Sequence, residues 1–302
     1  MTKSPHQDDL VDVPPPQPIV RRQVDIDFDL PFDRPWLPAN AVIERMLNTV
    51  SLFFPEGEKY LIESVRHYQA GLKDPVLRDQ VRGFVFQETM HSRQHDAANA
   101  LLKQYYRRGA DVERLAQRHL AFWRRILPPS ARLAVSCAIE DLTATAAATL
   151  LHYQDDWEAL AEPAFSELWL WHAVEESEHK SVCFDVYRAA VGTGAKAYAL
   201  RVLMMLLTTA FFFATLIVGM RMLGPRPPLP PSNAEPRRFS RGNVLALLGD
   251  VLPWRHSLAY YRPSFHPSDF DCTDLIQKWK ARFPDFGIDP LAGRAELHAG
   301  KP

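Results

Sequence analysis

The chain has 302 residues and a mass of 34.5 kDa, enough for one large domain or two ordinary ones. Apolar residues make up 47% and charged residues 24%, the profile of a globular protein with a sizeable core. The 35 basic and 36 acidic residues leave a net charge of −1, which speaks against nucleic-acid binding through bulk charge.

Residues 1–35 are acidic and proline-rich and lack the apolar run of a secretory signal. They read as a mostly disordered tail. Within it, V-D-I-D-F-D-L from Val24 to Leu30 alternates apolar residues with aspartate. Period two suits an extended arm laid on the body of the protein, and a solvated acidic tail is the competing reading.

From 36 to 223 the apolar spacing is three and four, which predicts helices near 41–53, 56–72, 75–108, 111–126, 130–160, 163–191 and 196–222. Prolines at 38, 55, 75, 128–129 and 163 divide the region, several where helices begin. Long consecutive helices imply an all-α fold built on a four-helix bundle with additional helices. Residues 224–241 hold six prolines and read as a semi-rigid linker. A C-terminal helical segment follows over 242–285, with helices near 242–260 and 273–283, and then a tail over 286–302.

Two predicted helices carry Glu-x-x-His: Glu88 to His91, and Glu176 to His179. Residues three apart on a helix point the same way, so each motif offers a carboxylate and an imidazole to one point. A dimetal carboxylate bundle needs two such motifs and one glutamate from each of two further helices. Glu140 lies in a small-residue, apolar stretch where a lone carboxylate is costly unless paired or metal-bound. In the first helix Glu58 extends the apolar face of Leu61, Val65, Tyr68 and Leu72, whereas Glu63 shares a side with Lys59 and Arg66.

Four glutamates balance two divalent cations. Mixed carboxylate and imidazole ligation suits iron first, then manganese or zinc. His172, His95 and Glu175 fall one turn from these residues, as extra ligands or as partners that orient the ligands. Cys183, one turn beyond His179, is a candidate pocket residue, although a free cysteine on such a face is commonly plain core.

The strings W-L-P-A-N (36–40), F-P-E-G-E (54–58), S-V-R-H-Y (64–68), Q-E-T-M-H (87–91), W-H-A-V-E-E-S-E-H-K (171–180) and R-P-S-F-H-P (262–267) resemble the bacterial predicted metal-dependent hydrolases, over roughly residues 33–285. The resemblance implies a ferritin-like bundle with a dimetal site on Glu58, Glu88, His91, Glu140, Glu176 and His179. It also draws His266 into the pattern, as a cover for the site or as a structural residue. The spacing His172-x-x-x-Glu176-x-x-His179 is similar to that of arylamine N-oxygenase di-iron enzymes.

Three functions follow. Oxidation of an organic substrate by dioxygen at a di-iron centre, with an electron donor, is placed first. Hydrolysis by dimetal-activated water is the alternative, and a non-catalytic metal-binding bundle is the third. No G-x-S-x-G nucleophile elbow is present.

Val202 to Met220 is nineteen residues without a charge, long enough to span a membrane. It reads as a membrane contact, a buried bundle helix or a homodimer face; membrane contact would favour an apolar small-molecule substrate. Three widely spaced cysteines, Cys137, Cys183 and Cys272, form no disulfide framework, and fit a reducing, cytoplasmic setting.

Overall fold

Asn40 opens the first helix by accepting hydrogen bonds from the backbone N–H groups of Val42 and Ile43, donors with no partner inside the helix. A computed structural model describes residues 18–29, 35–38, 40–226 and 258–287. Helix α1 spans Ala41–Gln69, α2 Pro75–Tyr105, α3 Gly109–Ile126, α4 Pro129–His152, α5 Gln154–Leu160, α6 Pro163–His179, α7 Val182–Ala190, α8 Ala195–Leu223 and α9 Thr273–Arg282. No strand occurs among the described residues. Prolines start α2, α4 and α6 at the first helical turn, where their missing N–H costs nothing.

The fold is the expected all-α bundle. Helix α1 packs on α2, α2 on α6, α6 on α4, and α4 back on α1, which closes a ring of four. Helices α3 and α8 cover the open side of α1 and α4. At the α1–α8 contact Gly219 is needed, because a Cβ there would lie 2.7 Å from Thr49 Cγ2 and 3.0 Å from Phe53 Cζ.

Three expectations change. Pro55 does not end a helix; α1 runs through it. A mid-helix proline frees the carbonyl four residues earlier. That carbonyl, on Ser51, accepts instead from Asn99 Nδ2 at 2.9 Å, so a neighbouring helix replaces the lost bond. The segment expected over 163–191 is interrupted at Lys180–Ser181, directly after His179, and the one over 130–160 at Tyr153.

The N-terminal region is not uniformly a tail. Residues 18–29 form an extended arm on the body, with Arg22, Val24 and Ile26 buried and Gln23, Asp25 and Asp27 exposed. Gln94 fastens it from α2, donating to the Val24 carbonyl at 2.7 Å and accepting from Ile26 N–H at 3.0 Å.

Two helices are long and apolar enough to cross a membrane, α4 and α8. Helix α4 is largely buried as a core helix. Helix α8 buries Met204, Met205, Thr208 and Leu216 and exposes Leu203, Leu206, Leu207, Ile217 and Val218. The proline-rich linker beyond Arg226 and most of the helix expected over 242–260 lie outside the described residues. Segment 258–287 folds back on the bundle: Arg201 donates to the Tyr260 and Arg262 carbonyls, and its guanidinium sits 4.7 Å from the Tyr260 ring.

Candidate metal centre

Each helix of the ring brings its own residues to one buried point: Glu58 from α1, Glu88 and His91 from α2, Glu140 from α4, and Glu176 and His179 from α6. All are buried, and Glu88, His91 and His179 have no exposed surface at all. Ligand atoms of Glu58, Glu88 and His91 lie within 4.8 Å of one another, as do those of Glu88, Glu176 and His179, and those of His91, His172 and Glu176. Glu88 is common to the first two sets. Glu140 joins through His179, with its Oε2 3.6 Å from Nε2.

Hydrogen bonds around the cluster fix which atoms face inward. Gln87 Nε2 donates to the Val20 carbonyl and to Glu178, both at 2.9 Å. Its Oε1 therefore faces His179 Nδ1, at 2.8 Å, and must accept. The proton of neutral His179 is thus on Nδ1, and the Nε2 lone pair points at Glu88 (3.2 Å), Glu140 (3.6 Å) and Glu176 (3.7 Å). A lone pair against three carboxylates is a place where positive charge is held. Burial opposes a charge on this imidazole, but the three carboxylates hold His179 well above its ordinary value.

A second chain of donors fixes His172. Asn99 Nδ2 donates to the Ser51 carbonyl, so its Oδ1 accepts from Ser51 Oγ at 2.8 Å. With that hydroxyl proton committed, His95 Nδ1 donates to Ser51 Oγ at 2.8 Å. His95 Nε2 then accepts from His172 Nδ1 at 2.8 Å. His172 Nε2 is left facing Glu176 Oε1 at 2.9 Å, another lone pair set against a carboxylate. Both nitrogens of His95 are hydrogen-bonded in this arrangement, which orients His172, and ligand atoms of Glu58, His95 and His172 also lie within 4.8 Å of one another.

The remaining carboxylate oxygens are also steered. Ser92 donates to Glu58 Oε2 and Thr143 to Glu176 Oε2, each at 2.6 Å. Glu58 Oε1 and both oxygens of Glu88 and Glu140 accept no hydrogen bond from the described residues. Burial first, then the charges of neighbouring glutamates, pushes Glu58 well above the usual carboxylate range. Burial also raises Glu88 and Glu140, although the His179 charge pulls both back. Such groups are stable as anions only beside a compensating cation.

Glu175 sits behind His91, its carboxylate 3.1 Å from Nε2, and pairs with Arg22 at 2.9 Å. Burial pushes it up to about 8 against the pull of Arg22. Glu178 takes a second bond from Arg22 at 2.8 Å and one from Lys280 at 2.8 Å, which together hold it below its ordinary value despite burial.

Two candidates fall away from the cluster. His266 caps the short 3₁₀ turn Pro267–Asp269: Nδ1 accepts from Ser268 N–H, and Nε2 donates to Asp185 at 2.9 Å. Both of its ring nitrogens are engaged there, away from the cluster. Cys183 is fully buried in the apolar core of α7, its thiol pushed up by burial, and it does not line the cavity beside the cluster.

Arg22, Gln87, Glu178, Ser51 and Asn99 escaped sequence reasoning. Arg22 alone carried a signal, since it extends the buried alternation of Val24 and Ile26 by one step.

Such a bundle, with carboxylates and imidazoles gathered at its centre, defines a metal-binding helical protein. The chain belongs to the predicted metal-dependent hydrolases, whose sequence model matches residues 20–271. No curated protein and no solved structure matches the sequence.

Proposed function

We propose that the chain is a hydrolase working with two metal ions, held by Glu58, Glu88 and His91 on one side and by Glu88, Glu140, Glu176 and His179 on the other. The carrying observation is the set of buried, unsatisfied carboxylate oxygens ringed around two imidazole lone pairs whose tautomers are fixed from behind. His172 Nε2 is the further imidazole donor. Four glutamate charges match two divalent cations, while Arg22 and Lys280 face Glu175 and Glu178 separately. When bound, such a metal pair polarises a substrate oxygen and makes water a nucleophile at neutral pH.

The chain's own residues do the rest. Gln87 holds His179 in place, and Glu175 lies 3.1 Å behind His91 Nε2. Ser92 and Thr143 hold one oxygen each of Glu58 and Glu176. The apolar surroundings exclude bulk water and strengthen every charge interaction inside.

The family description supports hydrolysis over the dioxygen-dependent oxidation that the sequence reading places first. Hydrolysis needs no electron donor. Nitrogen and oxygen donors in this mixture accept zinc, manganese or iron.

Elemental analysis of the purified protein, with ester hydrolysis and oxygen uptake measured in parallel, tests the reading. We expect about two metal ions per chain, by the charge count, hydrolytic turnover under anaerobic conditions, and loss of both metal and turnover in Glu88→Ala. Oxygen consumption coupled to substrate oxidation, with no hydrolysis, would return the di-iron reading to first place. Full metal content in Glu88→Ala would remove the ligand assignment.

A further inference from the structure

A half-open cavity of about 130 Å³ lies beside the cluster, lined by α1, α3, α4 and α8 and, through Glu176, by α6. Its walls include Phe54, Leu61, Leu120, Trp123, Ile139 and Phe211. Two charged residues reach it, Glu58 and Glu176, and both belong to the metal cluster. No lysine or arginine is among its lining residues. Of the other polar groups, Thr143 donates to Glu176, Thr215 donates to the Phe211 carbonyl and receives the His119 Nδ1 proton at 2.7 Å, and Thr208 Oγ1 is left without a hydrogen-bond partner among the described residues.

We propose that this cavity is the substrate site and that it takes the hydrocarbon part of an uncharged ester or amide, with the carbonyl end at Glu58 and Glu176. The inference rests on the dimetal reading above and narrows it. An apolar cavity of roughly 150 Å³ stays dry and binds benzene, so this one suits a group of about that size. A phosphate monoester would bring anionic oxygens that, apart from the bound metals, find no lysine or arginine in the walls to share their charge. An acyl compound brings none. In the reaction, water oxygen bonds to the acyl carbon and the bond from that carbon to the leaving oxygen or nitrogen breaks. One water proton goes to the leaving group, and the products are a carboxylic acid and an alcohol or amine.

Gly57 gives the test its handle. It lines the cavity from within α1, and a Cβ built there meets nothing within 4 Å. A Cβ at this position stands in open space beside the cavity, which leaves room to place a larger side chain there, and replacing a mid-helix glycine favours the helix.

The experiment measures fluorobenzene binding by ¹⁹F NMR to wild type, Gly57→Ala and Gly57→Leu, each also assayed for metal content and thermal midpoint. Hydrolysis of 4-nitrophenyl hexanoate and 4-nitrophenyl phosphate is compared on the metal-loaded proteins. We expect fluorobenzene to bind wild type, to bind Gly57→Ala more weakly, and to bind Gly57→Leu at least about tenfold more weakly, with metal content and midpoint retained. The hexanoate should be turned over in preference to the phosphate, and Gly57→Leu should lose that turnover. Equal binding to wild type and Gly57→Leu, or preference for the phosphate, overturns the proposal. The two readings fail separately: metal bound without any fluorobenzene binding removes the cavity and leaves the metal centre. Fluorobenzene binding blocked by Gly57→Leu in a protein that takes up no metal keeps the apolar site and removes the metal centre.

Discussion

Gln87 Oε1 accepts the proton of His179 Nδ1 at 2.8 Å, and the other end of the same amide is held by the Val20 carbonyl and Glu178. The arm thus decides which His179 nitrogen faces the glutamates. Gln87→Leu keeps the volume and removes the acceptor. Second-layer partners of this kind are worth about 10–100-fold in metal affinity. Metal affinity measured by chelator competition should fall by that factor while the helical content is unchanged. An unaltered affinity would mean that the amide does not set the imidazole.

Arg22 is the centre of a buried charge cluster, bonded to Glu175 at 2.9 Å and to Glu178 at 2.8 Å, and 2% exposed. Removing one partner of a buried pair leaves uncompensated charge and costs about 3–5 kcal/mol. Arg22→Met should lower the stability of the metal-free protein by an amount in that range, read from urea denaturation midpoints. Adding Glu175→Gln and Glu178→Gln should restore part of the loss. A single variant as stable as wild type would show that the arm is only loosely seated.

The residues that meet at the cluster were visible in the sequence because helical spacing is local. Glu88 with His91, and Glu176 with His179, share a face whatever surrounds them. Glu140 stood out as a carboxylate among alanines, and Glu58 by its place on an apolar face. What was hidden depends on partners distant in the chain. Pro55 looks like a helix end until Asn99 supplies the missing hydrogen bond to the Ser51 carbonyl. His95 and His172 look like equivalent candidates. The donor chain through Ser51 separates them, because both His95 nitrogens are hydrogen-bonded within it, whereas His172 Nε2 faces Glu176 of the cluster. His266 gave no hint of its neighbour, since Asp185 on α7 lies 81 positions away in the chain.

Glu44 provides a pH signature away from the cluster. It is buried and paired with Arg226, yet burial pushes it up to about 7. Its folded value lies above the unfolded one. Its stabilising contribution is therefore complete below the unfolded value near 4.5 and is lost as the pH rises through about 7. In Glu44→Gln that titration is absent. The stability of wild type relative to the variant should therefore decline by about 3 kcal/mol from pH 4.5 to above 7, at about 1.4 kcal/mol per unit. Urea midpoints at pH 5, 6, 7 and 8 measure it. A difference that is flat, or that grows in favour of wild type with pH, contradicts the assignment.

The position of α8 sets the outer wall of the cavity, and Gly219 sets the position of α8. A methyl group there would meet Thr49 Cγ2 at 2.7 Å and Phe53 at 3.0 Å. Thr49 has little freedom to move aside, since its hydroxyl donates to the Arg45 carbonyl at 2.7 Å and its β-branched side chain is stiff. Phe53 itself lines the cavity. Alanine gains about 1 kcal/mol in helix propensity over glycine, while overpacking costs about 1–3 kcal/mol. Gly219→Ala should therefore be destabilised on balance by roughly 1 kcal/mol, and Gly219→Val by more, because a larger side chain adds to the overlap. Thr49→Ala in the Gly219→Ala background removes the closest contact, so the double variant should be more stable than the sum of the single changes predicts, by 0.5 kcal/mol or more. Strict additivity in that cycle would show that α8 does not bear on α1 at Gly219 and that some other contact fixes the width of the cavity.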